Sequence, residues 1–405
     1  MERREFEDVI GNLHIWVPDL FSATGGVQAF SRRLIEAVYM EAFSNCLRVL
    51  IKNDLPDDVP DNQALHNFNV YGHWPLKLRS ARFALGCMRH AWRERPGLIV
   101  STHLHFGPLA MIARRSFGMP YVLVAHGIEA WRITNASRRR AIQKADLTLA
   151  VSNYTRDRLI HDVGIDANRV KILPNTFDAE RFAIAPKPPQ LLRRYSLQPD
   201  TPVILTVCRL AEKERYKGYD QIIKAMPEIM RFVPNARYLL VGKGPDRPRI
   251  EKLIAEVGVQ EAVILAGFVS NEELAEHYNL CDIFAMPSRA EGFGIVYLEA
   301  LACGRPVLAG DKDGSRDALA DGELGLLVDP DDTAEIATEI ISVLRREISH
   351  PKIFHPELLR RRVIELFGFE AFKHAVAERL GPFLRRYESR AIQISERRRS
   401  DVGRG

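Results

Sequence analysis

Cysteine is scarce in this chain. The five residues, at positions 46, 87, 208, 281 and 303 of 405, form no Cys-x-x-Cys pair and no His/Cys cluster at metal-ligand spacing. A disulfide scaffold and a zinc site of familiar spacing are therefore excluded, and a reduced, intracellular chain is the simplest expectation. No apolar run reaches eighteen residues, so no transmembrane helix is expected. The opening segment MERREFEDVIGN lacks the apolar core of a secretory signal, and a cytoplasmic location follows as the expectation. A full Gly-x-Gly-x-x-Gly and a Walker lysine are missing from the first half. Charge of one sign is hardly in excess: 57 Lys+Arg against 52 Asp+Glu leave +5. That allows an anionic partner without requiring one, and no nucleic-acid partner is expected.

Hydrophobic residues make up 46% and charged residues 27%, ordinary for a soluble globular protein. A length of 405 residues exceeds the usual single core, so two domains are expected. Short Val/Ile/Leu-rich runs without polar alternation recur, as in strands buried on both faces of a parallel sheet. They are Leu13–Val17, Leu47–Lys52, Leu98–Thr102, Tyr121–Ala125, Leu147–Ser152 and Val170–Leu173. The second half repeats the pattern with Val203–Val207, Tyr238–Val241, Val263–Ala266, Ile283–Met286 and Pro306–Leu308. Amphipathic stretches separate them. In Gln28–Tyr39, Phe30, Leu34 and Val38 share a face, and Ser270 followed by Glu273 reads as a capping box.

The Pro-rich stretch AIAPKPPQ at 183–190 reads as an interdomain linker. The expected organisation is an N-terminal domain over 1–188 and a second domain over 189–368. A C-terminal helix over 369–388 would return to the first domain, and 389–405 would form a disordered basic tail. The fold class is α/β: two doubly wound, Rossmann-like domains facing a central cleft. Ligand is then expected at the carboxyl ends of the strands, so the residues that follow strands are the candidates.

The strongest of these is the run from Pro287 to Ala300. Gly292 and Gly294 let backbone approach a ligand, and the helix start near Gly294 can hold a phosphate. Glu299 can accept hydrogen bonds from two neighbouring hydroxyls, as on a ribose, and Glu291 can do the same for a sugar ring. The ordinary reading makes both solvated helix-start carboxylates. Arg209 follows one strand and Lys217 precedes Gly218 and a helix; two cations there suit a diphosphate, or are plain surface charges. Gly25-Gly26 follows the first strand, either as a tight turn or as a close approach to substrate. His126, after another strand, can hydrogen-bond a sugar or merely serve the fold. Asn175 closes the last strand before the linker and can serve a ligand or cap a turn.

Taken in order, these landmarks resemble the family 4 retaining glycosyltransferases. They are Gly25-Gly26, His126-Gly127, Val151-Ser152-Asn153, Leu173-Pro174-Asn175, Arg209 with Lys217-Gly218, and the Glu-x₇-Glu from Glu291 to Glu299. The resemblance covers roughly 10–385 and implies the two-domain fold termed GT-B. It implies that Arg209 and Lys217 bind the donor diphosphate. Glu291 would contact the transferred sugar and Glu299 the ribose. The backbone at Phe293, Gly294 and Ile295 would touch phosphate or sugar. The loop Gly267, Phe268 and Val269 would lie beside the nucleobase. His126 would sit near the sugar, and Gly25 and Gly26 would line the diphosphate side. Asn153 and Asn175 are further candidates. Two features depart from the commoner pattern. Arg209 and Lys217 are eight apart, so Glu212–Tyr216 must bulge, and Asp313-Gly314-Ser315-Arg316-Asp317 replaces a Gly-rich loop ending in Glu.

The expected activity is transfer of a hexose from a nucleotide-sugar donor, GDP-mannose or a UDP-sugar, to a glycan or lipid-linked glycan in polysaccharide assembly. A nucleotide-sugar epimerase and a non-catalytic nucleotide-sugar-binding protein are the alternatives. No Asp-x-Asp is expected in the cleft-forming segments, so no metal is expected, and no cofactor, the nucleotide sugar being a substrate. Finally, in 77–95, Leu78, Ala81, Leu85, Met88 and Trp92 follow helical spacing beside Arg79, Arg82, Arg89 and Arg93. Such a stripe suits an anionic membrane surface, or else an ordinary core-facing helix.

Overall fold

The computed structural model describes residues 13–22, 25–40, 47–60 and 68–383. The chain forms two compact units, one of residues up to Pro174 with those from Phe372 onward, the other Asn175–Ala371. Each is a parallel α/β unit.

The first unit holds strands β1 (Leu13–Val17), β2 (Leu47–Ile51), β3 (Phe68–Val70), β4 (Leu98–Ser101), β5 (Tyr121–Ala125), β6 (Leu147–Ala150) and β7 (Val170–Ile172). They run in the order β3-β2-β1-β4-β5-β6-β7, all parallel. Its helices are α1 (Gly26–Val38), α2 (Leu76–Glu94), α3 (Gly107–Phe117), α4 (Ala136–Gln143) and α5 (Asn153–Arg158). Strands β1 and β5 are buried along their whole length, which explains their unbroken apolar sequence.

The second unit begins with α6 (Pro189–Arg194) and holds β8 (Val203–Val207), β9 (Arg237–Val241), β10 (Val263–Gly267), β11 (Ile283–Met286), β12 (Val307–Gly310) and β13 (Leu326–Val328). The order is β10-β9-β8-β11-β12-β13. The remaining helices are α7 (Tyr219–Phe232), α8 (Arg247–Val257), α9 (Asn271–Leu280), α10 (Ile295–Ala302), α11 (Ser315–Ala318), α12 (Thr333–Leu344) and α13 (Pro356–Phe367). A last helix, α14, spans 369–383. Its Phe372, Val376 and Leu380 are buried, and Phe372 meets Phe30 of α1 edge-on at 5.6 Å. The C-terminal helix therefore packs in the first unit.

The structure departs from expectation at the unit boundary and at two strands. The first unit ends at Pro174 rather than at 188, because the Pro-rich stretch packs within the second unit. There the Ala185 amide donates to Asn279 and Lys187 pairs with Asp282 at 2.7 Å. The residues from Pro356 form two helices parted at Gly368. Strands β3 and β13 were not foreseen, both being three-residue runs at the sheet edges. The tail expected over 389–405 lies outside the described residues, as does the end of the 369–388 helix.

Candidate functional site

In both sheets the strand order reverses once, between β1 and β4 and between β8 and β11. Ligands of doubly wound sheets sit beyond the carboxyl ends at such a reversal. Gly25 and Gly26 follow β1, Arg209 follows β8 and Glu291 follows β11, at these reversals. His126, Asn153 and Asn175 follow other strands, and Gly267 ends β10 with Phe268 and Val269 after it.

In the second unit β8 and β11 pair side by side, Ile204 opposite Ile283. Arg209 follows β8, and the residues Glu212–Lys217 coil into a short 3₁₀ segment that absorbs the extra length. Gly218 then starts α7 with φ +85°, and a Cβ there would lie 2.2 Å from the Pro287 carbonyl, so only glycine lets the two loops touch. The Tyr216 carbonyl accepts from the Arg289 amide at 3.0 Å, joining the same loops. Lys217 Nζ thereby reaches Glu291 Oε2 at 2.5 Å, with both side chains mostly buried. Burial works against the ammonium, but the facing Glu291 carboxylate and Tyr216 hold its pKa above the usual value. Arg209 is different: its side chain is 76% exposed and pairs with Glu214.

Glu291 is held by Asp313, which the sequence marked only as the start of a departing loop. Asp313, 1% exposed, accepts from Ser288 Oγ (2.7 Å) and the Glu291 amide (2.6 Å) on one oxygen, and from the Ser315 amide (2.9 Å) on the other. Burial raises its carboxyl to about 6 despite these donors. It belongs to Asp311-Lys312-Asp313, an Asp-x-Asp at the end of β12, where none was expected. Asp313 is turned inward onto the β11 loop, and Lys312 pairs with Asp329 and Asp331. Among the described residues no group of three or more His, Cys, Asp or Glu is placed to hold a metal ion.

Helix α10 starts after Gly294 with no side chain capping its first amides. The Tyr297 amide turns back to the Gly294 carbonyl at 3.2 Å, which leaves the Ile295 and Val296 amides at the helix start uncapped, as an anion site requires. Phe293 is buried and stacks edge-on with Phe367 at 5.5 Å, so only its backbone can serve a ligand. Ile295 begins the helix. Glu299, one turn further, accepts from the Tyr278 hydroxyl at 2.7 Å through Oε2. Burial raises its pKa, while Tyr278 and Arg181 oppose the rise. At the end of β10, Gly267 has φ +74° and Phe268 is 62% exposed, with Lys243 Nζ 4.4 Å from its ring centroid. Val269 follows in that loop. An exposed aromatic with a cation over one face is able to stack a planar group.

In the first unit Gly25 caps α1 without a side chain, and Gly26 is the first helical residue. Asp54, fully buried, holds the loop after β1 by accepting from the amides of Leu20 (2.9 Å) and Phe21 (2.8 Å). His126 follows β5 and its Nε2 lies 2.8 Å from the Thr102 carbonyl. A carbonyl only accepts, so Nε2 carries the hydrogen. Burial lowers the pKa of His126, leaving a neutral ring with an accepting Nδ1. Gly127 (φ +141°, ψ −114°) makes the bend that follows. His103 and His105, which the sequence reading passed over, stack at 4.3 Å after β4. Burial and the neighbouring His105 and His126 depress His103 to about 3. The signal was there: two histidines directly after a strand at the reversal. Asn153 opens α5 behind the capping Ser152. Asn175 is 7% exposed, and its buried Oδ1 lacks a hydrogen-bond partner.

Known proteins match both units. Residues 190–356 match the family "Glycosyl transferases group 1", and residues 42–181 match "Glycosyltransferase Family 4". The chain is 37% identical over 252 residues to the GDP-mannose-dependent alpha-(1-6)-phosphatidylinositol monomannoside mannosyltransferase of Mycolicibacterium smegmatis, covering 58% of this chain. It spans 65% of that relative's length. It is 32% identical over 288 residues to the alpha-D-kanosaminyltransferase of Streptomyces kanamyceticus, covering 67% of this chain and 72% of that one. Among solved structures, Anabaena Alr3699/HepE in complex with UDP superposes with a TM-score of 0.75 at 19% identity, covering 92% of this chain and all of the other.

Proposed function

Because the chain belongs to the family 4 glycosyltransferases, we infer that it is a retaining, metal-independent enzyme that transfers a hexose from a nucleoside-diphosphate sugar to a glycan or lipid-linked glycan acceptor. GDP-mannose is the preferred donor, in line with the name of the mycobacterial relative, and UDP-sugars come next. The observation that carries the reading is the second unit's strand reversal. There a buried Lys217–Glu291 pair, the open start of α10 and Glu299 stand together, and Asp313 holds the loop that bears Glu291.

The chemistry follows from that arrangement. The bond between the anomeric carbon and the β-phosphate oxygen breaks, and negative charge grows on the phosphate. Lys217, Arg209 and the α10 amides stabilise that charge. The acceptor hydroxyl bonds to the anomeric carbon on the face the phosphate leaves, and its proton passes to the departing phosphate oxygen. No covalent nucleophile is required. Glu291 holds hydroxyls of the transferred sugar, while Glu299 holds the ribose. His126 offers a neutral acceptor to a sugar hydroxyl.

The test is a thermal-shift panel of GDP-mannose, UDP-glucose and other nucleotide sugars, followed by release of nucleoside diphosphate on adding phosphatidylinositol monomannoside or other glycan acceptors. Ligand that binds only the native state raises its melting temperature by mass action. Acceptor-dependent release with the product in the donor's anomeric configuration is expected. Binding without release with any acceptor would leave a nucleotide-sugar-binding protein, and epimerised donor without acceptor would mark an epimerase.

A further inference from the structure

Helix α2 buries one face through Phe83, Cys87 and Ala91. Its expected apolar stripe points the other way. Leu78, Leu85 and Trp92 are 51%, 61% and 57% exposed, and Leu76 at its start is 79% exposed. Spaced seven apart, the three fall on one line along the helix, because seven residues make nearly two turns. Met88, also of the expected stripe, is half-buried against the core, but a core-facing role is ruled out for Leu78, Leu85 and Trp92. Large apolar side chains exposed in register, rather than scattered, mark a contact surface.

The charge around the stripe has one sign. Lys77, Arg79, Arg82, Arg89 and Arg93 lie on α2, and its only acidic residue is Glu94. Glu94 turns inward, bonded to Arg48 at 2.6 Å, His90 at 2.8 Å and His14 at 2.9 Å. Burial opposes its charge, but these three partners hold the carboxyl at about 2. Two of the cations brace the helix entry: Arg79 donates to the Gly72 carbonyl at 2.6 Å, and Arg82 stacks 4.2 Å over Trp74. Arg89 and Arg93 are exposed beside Leu85 and Trp92. A second copy docked here by a two-fold axis would place like-charged stripes together.

We propose that this face of α2 lies on the surface of an anionic lipid bilayer, with Leu78, Leu85 and Trp92 in the interfacial layer and Arg89 and Arg93 against headgroups. As a membrane contact it stands on α2 alone. As the means of meeting a lipid-linked acceptor it rests on the transferase reading above.

The experiment is flotation of the full chain with vesicles of phosphatidylcholine alone and of phosphatidylcholine with phosphatidylserine, at low and high salt. Binding is expected only to the anionic vesicles and to weaken with salt. Each cation at the surface is worth about 1 kcal/mol, or roughly fivefold in partitioning. Arg89→Gln/Arg93→Gln should thus bind about 30-fold more weakly, by the same scale. Leu85→Ser/Trp92→Ser should lose binding while keeping the wild-type melting temperature, both residues being exposed. Equal flotation with neutral and anionic vesicles, or unchanged flotation of either variant, would overturn the proposal. So would a lipid-free dimer, seen by light scattering, that the Leu85/Trp92 variant abolishes. Nucleoside diphosphate binding, measured on the same samples, reads the second unit, so failure of the transferase reading shows separately.

Discussion

Removing the Lys217 ammonium tests the proposed phosphate clamp most directly. In the free protein that charge is spent on Glu291, 2.5 Å away, with both side chains under a fifth exposed. A donor diphosphate would share or displace this pairing, so the two residues must be energetically coupled. Lys217→Ala removes one stabiliser of the leaving phosphate, a loss of about 10²–10³-fold in rate, or roughly 3–4 kcal/mol. It also strands the Glu291 carboxylate beside the incoming phosphate, and a stranded buried charge costs several kcal/mol. Glu291→Gln keeps the shape but removes that repulsion. In the double variant, therefore, diphosphate affinity should recover relative to Lys217→Ala alone, with a coupling energy of at least about 1 kcal/mol. Glu291→Gln alone should impair transfer and leave diphosphate affinity intact or tighter. Calorimetry with GDP and UDP supplies the binding arm, and single-turnover transfer supplies the chemical arm. Additive effects on diphosphate binding, or wild-type transfer by Lys217→Ala, would refute the clamp. Arg209→Ala should cost less, on the order of tenfold and more in low salt, because its charge is largely exposed and screened.

Glu299→Ala should mainly weaken nucleoside diphosphate binding rather than the transfer step, since it is assigned to the ribose; the opposite pattern in calorimetry and kinetics would swap its role with that of Glu291. Saturating EDTA should leave most activity, and complete loss restored by Mg²⁺ or Mn²⁺ would point instead to the Asp311-Lys312-Asp313 segment as a metal ligand. Asp313 predicts a pH effect with a definite sign. Its folded pKa of about 6 lies above the unfolded value, so between about 4 and 6 the unfolded chain has lost a proton that the folded one keeps. Its contribution therefore falls as pH rises through that window, by roughly 3 kcal/mol in all. Urea melts of wild type minus Asp313→Asn should show this slope, and parallel pH profiles would contradict it.

Most of the sheet was legible because its strands are buried on both faces and leave unbroken apolar runs, as in Tyr121–Ala125 and Ile283–Met286. Of the four edge strands, β7 and β10 were legible, but β3 and β13 were not: Phe68–Val70 is only half-buried and Leu326–Val328 is short. The unit boundary was misplaced because proline content reports local stiffness, whereas the boundary is set by long-range contacts such as Lys187 with Asp282. The period of α2 was readable, but not which side faces the core. Leu78, Leu85 and Trp92 are as apolar as Phe83, and only packing chooses between them. The candidate site residues were legible as residues that follow strands.

What the sequence concealed is the set of buried aspartates that positions them. Asp54 accepts from backbone amides over thirty residues earlier and shapes the loop after β1. Asp246, 5% exposed after β9, accepts from Arg215 at 2.7 Å and Tyr219 at 2.9 Å, bracketing Lys217 from both sides. Asp313 does the same for Glu291 from the end of β12. Such a carboxylate carries no motif, because the partners that matter to the loop are backbone amides or distant side chains, even where, as in Asp246 with Arg249, a sequence neighbour pairs with it too. Its energetic role is nonetheless specific. A loop that must present Lys217 or Glu291 to a phosphate cannot be covered by apolar packing on its ligand side. It is fixed from behind, by charge-assisted bonds that keep their strength away from water. Exposed Arg209 is therefore expected to tolerate substitution in stability but not in rate, whereas Lys217→Ala, which strands Glu291, should cost both. Asp54 and Asp246 should lose stability first and activity as a consequence, and their Asn variants separate the two classes.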